Sequence, residues 1–240
     1  MRNEEKKKKM MLIEKEGIRT VLREAIGRAA SKMGLDIDEE KLECVIAYAI
    51  ELQKWNKAYN LVGRKTGVEG FVDLFVDAVT PMMLRNLFDE GKEVLDVGSG
   101  AGLPGIPLYL IAGPFALTLV ESQRKKITFL RHICRTLDLH DVRVYPGRIE
   151  DMTREEDHLN AYEIALARAV MDPLRLLRVA RPLLCEAGQI VAFVGKGDAE
   201  RIRRSALDLE VGGVKLEAVR STQRIVGKEN YLAVFRKTGR

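Results

Sequence analysis

Along the first part of the chain, apolar residues recur every three or four positions. Val21, Leu22, Ala25, Ile26, Ala29 and Ala30 form one such series, and Gly34 supplies a stop after it. A second helix is predicted from Asp38, with an acidic first turn and a stripe of Leu42, Val45, Ile46, Ala49, Ile50 and Leu52. Phe71–Leu87 is a third helical segment. From residue 92 onward, short apolar runs ending in glycine-bearing or polar turns take over. Strands are predicted at 94–97, 116–121, 142–147, 163–168, 189–197, 214–219 and 231–235. Helices are predicted at Pro104–Ala112, Gln123–Leu137, Pro173–Leu184 and Ala199–Leu209. Strand–helix alternation at this spacing indicates βαβ units with right-handed crossovers, hence an α/β fold on a mainly parallel sheet. The last two strands have no long helix between them and are expected to form an antiparallel edge. The chain thus divides into a helical N-terminal cap, 1–91, and an α/β unit, 92–240.

The chemistry concentrates where the first strand ends, in VLDVGSGAGLPGIP (94–107). Gly98, Gly100, Gly102 and Gly105 follow an apolar strand, and Pro104 opens a helix. Glycine suits a turn that takes positive φ or brings backbone close to a ligand, and proline suits a first helical position. In an open α/β sheet, this first strand-to-helix turn is where a cofactor binds. Two cofactor classes compete for it. Gly100, Gly102 and Gly105 satisfy the G-x-G-x-x-G dinucleotide pattern, whereas Asp96, Gly98, Gly100 and Gly102 satisfy that of S-adenosylmethionine (SAM) enzymes. Asp96 would repel a pyrophosphate but attract the ammonium and sulfonium of SAM, so its placement favours SAM. Glu121, ending the second strand, can accept ribose hydroxyls in either class.

Composition narrows the class. The chain has 240 residues, 46% of them hydrophobic and 31% charged, which fits a globular protein of one large domain or one domain plus an appendage. No apolar run approaches the roughly 18 residues of a membrane helix, and the N-terminal MRNEEKKKKM lacks a signal-peptide core. A soluble, cytoplasmic protein with no membrane partner is expected. The net charge is +5, of which residues 1–10 supply +3, so local patches must carry any nucleic-acid reading. One patch is Ser122–Leu137, with Arg124, Lys125, Lys126, Arg131 and Arg135 and no acid. Another is 220–240, where Arg220, Arg224, Lys228, Arg236, Lys237 and Arg240 face only Glu229. Phosphate contacts and solvated faces are both open for them. In KWNKAYNLVGRKTG (54–67), Trp55 and Tyr59 alternate with Lys54, Lys57, Arg64 and Lys65. The two rings can stack on nucleobases or, being four residues apart, anchor a helix to the core. Cys44, Cys134 and Cys185 are too scattered for a disulfide framework, and neither they nor His132, His140 and His158 have metal-ligand spacing. No metal is expected.

Several longer motifs resemble one family, the bacterial small-subunit (16S) ribosomal RNA guanine-N7 methyltransferases known as RsmG or GidB. They are KWNKAYNLV (54–62), LDVGSGAGLPGIPL (95–108), LVESQRKKITFLRHI (119–133), GRIEDM (147–152), ARAV (167–170), GKG (195–197) and IVGKENYLAVF (225–235). The resemblance implies a Rossmann-like class I SAM-dependent methyltransferase acting on N7 of one guanine in small-subunit rRNA. It puts Gly98 and Leu103 against SAM, Ile149 and Glu150 beside its adenine, Glu121 on its ribose, and Arg168 near the methionine end and the target base. The chain departs from the family pattern at Leu74 and Ala78, which stand for His and Ser, and at Val62, which stands for Thr.

Guanine N7 carries a lone pair and no hydrogen, so its methylation requires positioning and electrostatics but no general base. An exocyclic-amine enzyme would want a second Pro and an aromatic after Asp172-Pro173; a carbon methylase would want a nucleophilic Cys, and Cys185 falls at a predicted helix end. No catalytic base is therefore assigned. The expected cofactor residues are Asp96, Gly98, Gly100, Gly102, Leu103, Glu121, Ile149, Glu150 and Arg168; the expected RNA contacts are Arg124, Lys125, Arg131 and Lys196. A monomer acting on rRNA or a ribosomal subunit is expected. A SAM enzyme for another substrate, a nicotinamide oxidoreductase and a non-catalytic RNA-binding assembly factor remain as alternatives.

Overall fold

The computed structural model describes residues 2–63, 68–84, 87–205 and 213–239. The predicted positions Arg64, Lys65, Leu209 and Arg240 lie outside the described residues. Three helices come first: α1 (Arg2–Met33), α2 (Glu39–Tyr59) and α3 (Val68–Ala78). Gly34 ends α1 in the left-handed region, φ 70°. The Leu35 and Gly34 N–H groups reach back to the Ala30 and Ser31 carbonyls, the paired bonds of a glycine-terminated helix. Asp38 caps α2 by accepting the Glu40 N–H at 2.7 Å. The predicted 71–87 helix is shorter than expected. Pro81, which lacks an N–H, sits in a separate 3₁₀ turn, Thr80–Met83.

The remainder runs β1 (Glu93–Val97), α4 (Gly105–Ala112), β2 (Ala116–Val120), α5 (Arg124–Thr136), β3 (Val142–Tyr145), α6 (Ile149–Met152), β4 (Tyr162–Arg168) and α7 (Pro173–Ala180). It finishes with β5 (Leu184–Gly195), α8 (Lys196–Arg204), β6 (Val214–Ser221), α9 (Gln223–Val226) and β7 (Asn230–Lys237). The strands form one sheet in the order β3-β2-β1-β4-β5-β7-β6. Strands β1 to β5 are parallel, and the final pair supplies the antiparallel edge. The reversed strand is β7, which lies one place in, between β5 and β6. A 3₁₀ turn containing Pro182 ends the predicted 173–184 helix early. Strand β5 consequently starts at Leu184 and carries Cys185, which the sequence had put at a helix end.

Each central strand is buried on both sides, as parallel strands covered by helices must be. Val94, Leu117, Leu119, Ile164 and Leu166 point into one cluster with α1 to α5 and α9; Leu95, Val97, Val120, Ala165 and Ala167 point into another with α6 to α8. The three N-terminal helices therefore share their core with α4, α5 and one sheet face. Chain order reverses between β1 and β4, and a crevice opens beyond the strand ends at that point.

Candidate active site

Past Val97 the backbone turns through Gly98 and Gly100 at φ 64° and 61°. A Cβ on Gly98 would lie 2.2 Å from the Val170 side chain, so the position is closed to larger residues by geometry and by space. Asp96, wholly buried, underpins the turn: one carboxylate oxygen accepts the Gly105 N–H at 2.9 Å. A Cβ at Gly105 would approach that oxygen to 2.7 Å. The other oxygen, Oδ1, is buried and has no hydrogen-bond partner among the described residues. Burial pushes the Asp96 carboxyl up to about 7, against the pull of the Gly105 N–H and of Arg168.

Glu121 ties the end of β2 to the same turn. Its Oε2 accepts the Gly100 N–H at 3.0 Å, and its Oε1 accepts the Ser122 and Gln123 N–H groups at 2.9 and 2.8 Å. Beside it opens a cavity of about 380 Å³, walled by Gly98, Glu121, Lys126, Ile149, Glu150 and Val170 among others. Glu150 is held at 2.8 Å by Arg175.

Of the residues expected to hold the cofactor, Gly98, Glu121, Ile149 and Glu150 line this cavity, whereas Asp96, Gly100, Gly102, Leu103 and Arg168 do not. Leu103 is buried in the core behind the turn. Arg168, at the end of β4, turns toward the N-terminal helices. Its Nη1 lies 3.3 Å from the Leu74 carbonyl oxygen and 3.4 Å from Asp77 Oδ2. Burial raises the Asp77 carboxyl, with Arg168 opposing that rise. Asp172 caps α7 through the Leu174 and Arg175 N–H groups, which gives Asp172-Pro173 a structural role.

Tyr48 was absent from the predicted stripe of α2. It is fully buried, and its hydroxyl donates to the Ala101 carbonyl at 2.6 Å, bracing the glycine turn from below. A tyrosine in an apolar stripe is the available signal, because a buried hydroxyl requires a partner. The Arg168–Asp77 pair, spanning 91 residues of sequence, left no such signal.

Of the expected RNA contacts, Arg124, Lys125 and Arg131 stand exposed on α5 and make no ion pair among the described residues. Lys196 instead pairs with Glu229 at 3.2 Å. Among the described residues, no cluster of three or more His, Cys, Asp or Glu could hold a metal ion, and no helix is long and apolar enough to cross a membrane.

The fold resembles solved methyltransferase structures at low sequence identity. An Aquifex aeolicus SAM-dependent methyltransferase matches at TM-score 0.53 and 18% identity over 70% of this chain and 92% of that one. Aeropyrum pernix fibrillarin with bound S-adenosyl-L-methionine matches at 0.54 and 16%, over 68% and 76%. Sequence relatives are nearer. Ribosomal RNA small subunit methyltransferase G of Roseiflexus castenholzii is 33% identical over 84% of this chain and 82% of its own length. The Geotalea uraniireducens protein of the same name is 31% identical over 87% and 93%. A family model described as rRNA small subunit methyltransferase G matches residues 41–229. With its glycine turn, carboxylate-lined cavity and seven-stranded sheet, the chain belongs to the rRNA small subunit methyltransferase G family.

Proposed function

We propose that this protein transfers a methyl group from SAM to N7 of a guanine in small-subunit rRNA, with residues 92–240 as the methyltransferase unit and 1–91 as its helical cap. The observation that carries this reading is the family match over residues 41–229, joined to a cavity at the glycine turn. Three features fit the cofactor. The cavity wall carries a carboxylate, Glu121, suited to ribose hydroxyls. Gly98 lets the backbone come close to a ligand. Asp96 keeps a buried, unpartnered oxygen below the turn, and a cationic ligand above it would favour its charged form over the protonated one.

In this reading Glu121 orients the ribose, Ile149 and Glu150 flank the adenine, and Gly98, Gly100, Gly102 and Leu103 shape the turn. Arg168 stands at the strand end beside the target base, held by Asp77 and the Leu74 carbonyl. When bound, SAM supplies an electrophilic methyl group. The chain's own work is to exclude water and align the N7 lone pair, with no proton to remove and no general base. Arg124, Lys125, Arg131 and Lys196 contact RNA phosphates.

Incubating the protein with labelled SAM and naked small-subunit rRNA, partly assembled particles or complete subunits tests the assignment. Methyl transfer to a single guanine N7 in one of them is expected, and mass mapping of rRNA from a deletion strain should show that methyl missing. No transfer to any acceptor, with RNA binding retained, would favour a non-catalytic assembly factor. A second result concerns the basic helix. Neutralising Arg124, Lys125 and Arg131 together removes three candidate phosphate contacts, so the slope of log affinity against log salt should flatten by about 2–3. Binding measured at several ionic strengths checks this; a change in stability alone would make α5 a solvated face.

A further inference from the structure

The cavity and the basic helix leave one feature unused, a run of three rings on the surface between α2 and α5. Trp55 is the only tryptophan in the chain. Its ring lies 5.2 Å from Tyr59 and 4.9 Å from His132, each tilted by 35°, and 5.6 Å from the buried Phe129 beneath. These separations are those of offset aromatic packing. His132 is fixed by Glu51 at 3.1 Å. Tyr59 forms the open end of the run and is 46% exposed.

The rings are held firmly. Asn60 ends α2 at φ 54°, with its N–H on the Asn56 carbonyl. The Asn56 side chain accepts the Val62 N–H at 2.9 Å and fastens the chain that leaves the helix. The position relative to α5 follows from the contacts. Glu51 meets His132, and Trp55 meets both Phe129 and His132, so the run of rings lies against the Phe129–His132 turn of α5. The same helix carries exposed Arg124, Lys125, Arg131 and Arg135, and its Lys126 lines the cavity.

We propose that Tyr59, backed by Trp55 and His132, is a stacking platform for an unpaired nucleobase of the RNA substrate, with the cations of α5 guiding the adjoining phosphates toward the cavity. An exposed ring in a run packed on a helix whose exposed cations make no ion pair among the described residues has the chemistry that recognises single-stranded RNA. A rigid ring also loses little freedom on binding. The platform deepens the rRNA methyltransferase reading and rests on it.

The test uses the full chain with an unpaired RNA of about ten nucleotides and a duplex of the same length. Binding of the unpaired RNA to the wild type is expected to quench the fluorescence of Trp55. Tyr59→Ala should lower affinity for unpaired RNA about tenfold or more, while affinity for the duplex and for SAM stays unchanged. Tyr59→Leu, which keeps apolar bulk without a ring, should lose as much, and Tyr59→Phe should retain binding. Unchanged affinity in Tyr59→Ala, equal loss on the duplex, or absence of quenching in the wild type would overturn the platform. If the wild type binds and methylates RNA and Tyr59→Ala does the same equally well, the platform alone fails. If the wild type binds neither RNA and also transfers no methyl to rRNA, particles or subunits, the RNA-substrate reading fails with it.

Discussion

Asp96 should cost the unliganded protein stability as pH rises from about 4 to about 7, so the pH dependence of unfolding should differ between the wild type and Asp96→Asn over that range. In the folded chain Asp96 keeps its proton until about 7, because burial penalises the carboxylate more than the Gly105 N–H and Arg168 favour it. In the unfolded chain the same group ionises near 3.8. Between those values the unfolded state binds fewer protons, so raising the pH favours unfolding. A displacement of about three units corresponds to at most about 4 kcal/mol. Asp77, also raised by burial, contributes in the same direction, which is why the comparison with Asp96→Asn isolates the larger group. Urea unfolding of both proteins at about pH 5, 6 and 8 is the measurement. Parallel curves would mean that Asp96 is ionised throughout.

Glu121→Ala should weaken SAM binding by about 1–3 kcal/mol, roughly five- to a hundredfold in Kd. The side chain has two tasks. It satisfies the Gly100, Ser122 and Gln123 N–H groups with charge-assisted bonds that hold the turn at the cavity mouth. It also offers the carboxylate on which ribose hydroxyls depend in the proposed site. Truncation removes both at once, whereas Glu121→Gln keeps an acceptor and should lose less. Calorimetric titration with SAM distinguishes the three proteins. An unaltered dissociation constant in the Ala variant would contradict the assignment, and affinity for RNA should be indifferent to either change.

What could be read in the sequence was what the chain decides locally. The alternation of buried faces in VLDV and ALTLV, the glycines that follow Val97 and the acidic start of α2 all depend on neighbours within a few residues. Prolines were legible too, but their effect was underestimated. Pro81 and Pro182 each convert the end of a predicted helix into a 3₁₀ turn. The start of α1 at Arg2 was hidden because residues 2–16 are largely charged and carry little apolar period. Strand order resisted reading for another reason. Nothing in YLAVF says that it inserts between β5 and β6, since the insertion is decided by which edges are free when the sheet assembles. The same holds within the site. Glycine spacing located the turn, but the brace from Tyr48 and the pairing of Arg168 with Asp77 join distant segments and emerge only in three dimensions.

The first and last parts of the chain lean on each other. Lys32 at the end of α1 reaches the Ile225 carbonyl at 3.4 Å, Ile225 itself enters the cluster of the N-terminal helices, and Lys228 pairs with Asp73 of α3. During translation, then, α1 and α3 complete their packing only once residues 225–228 have emerged. A premature stop just upstream of Gln223 would withdraw support from α1 and α3 as well as removing the inserted strand β7 from the sheet.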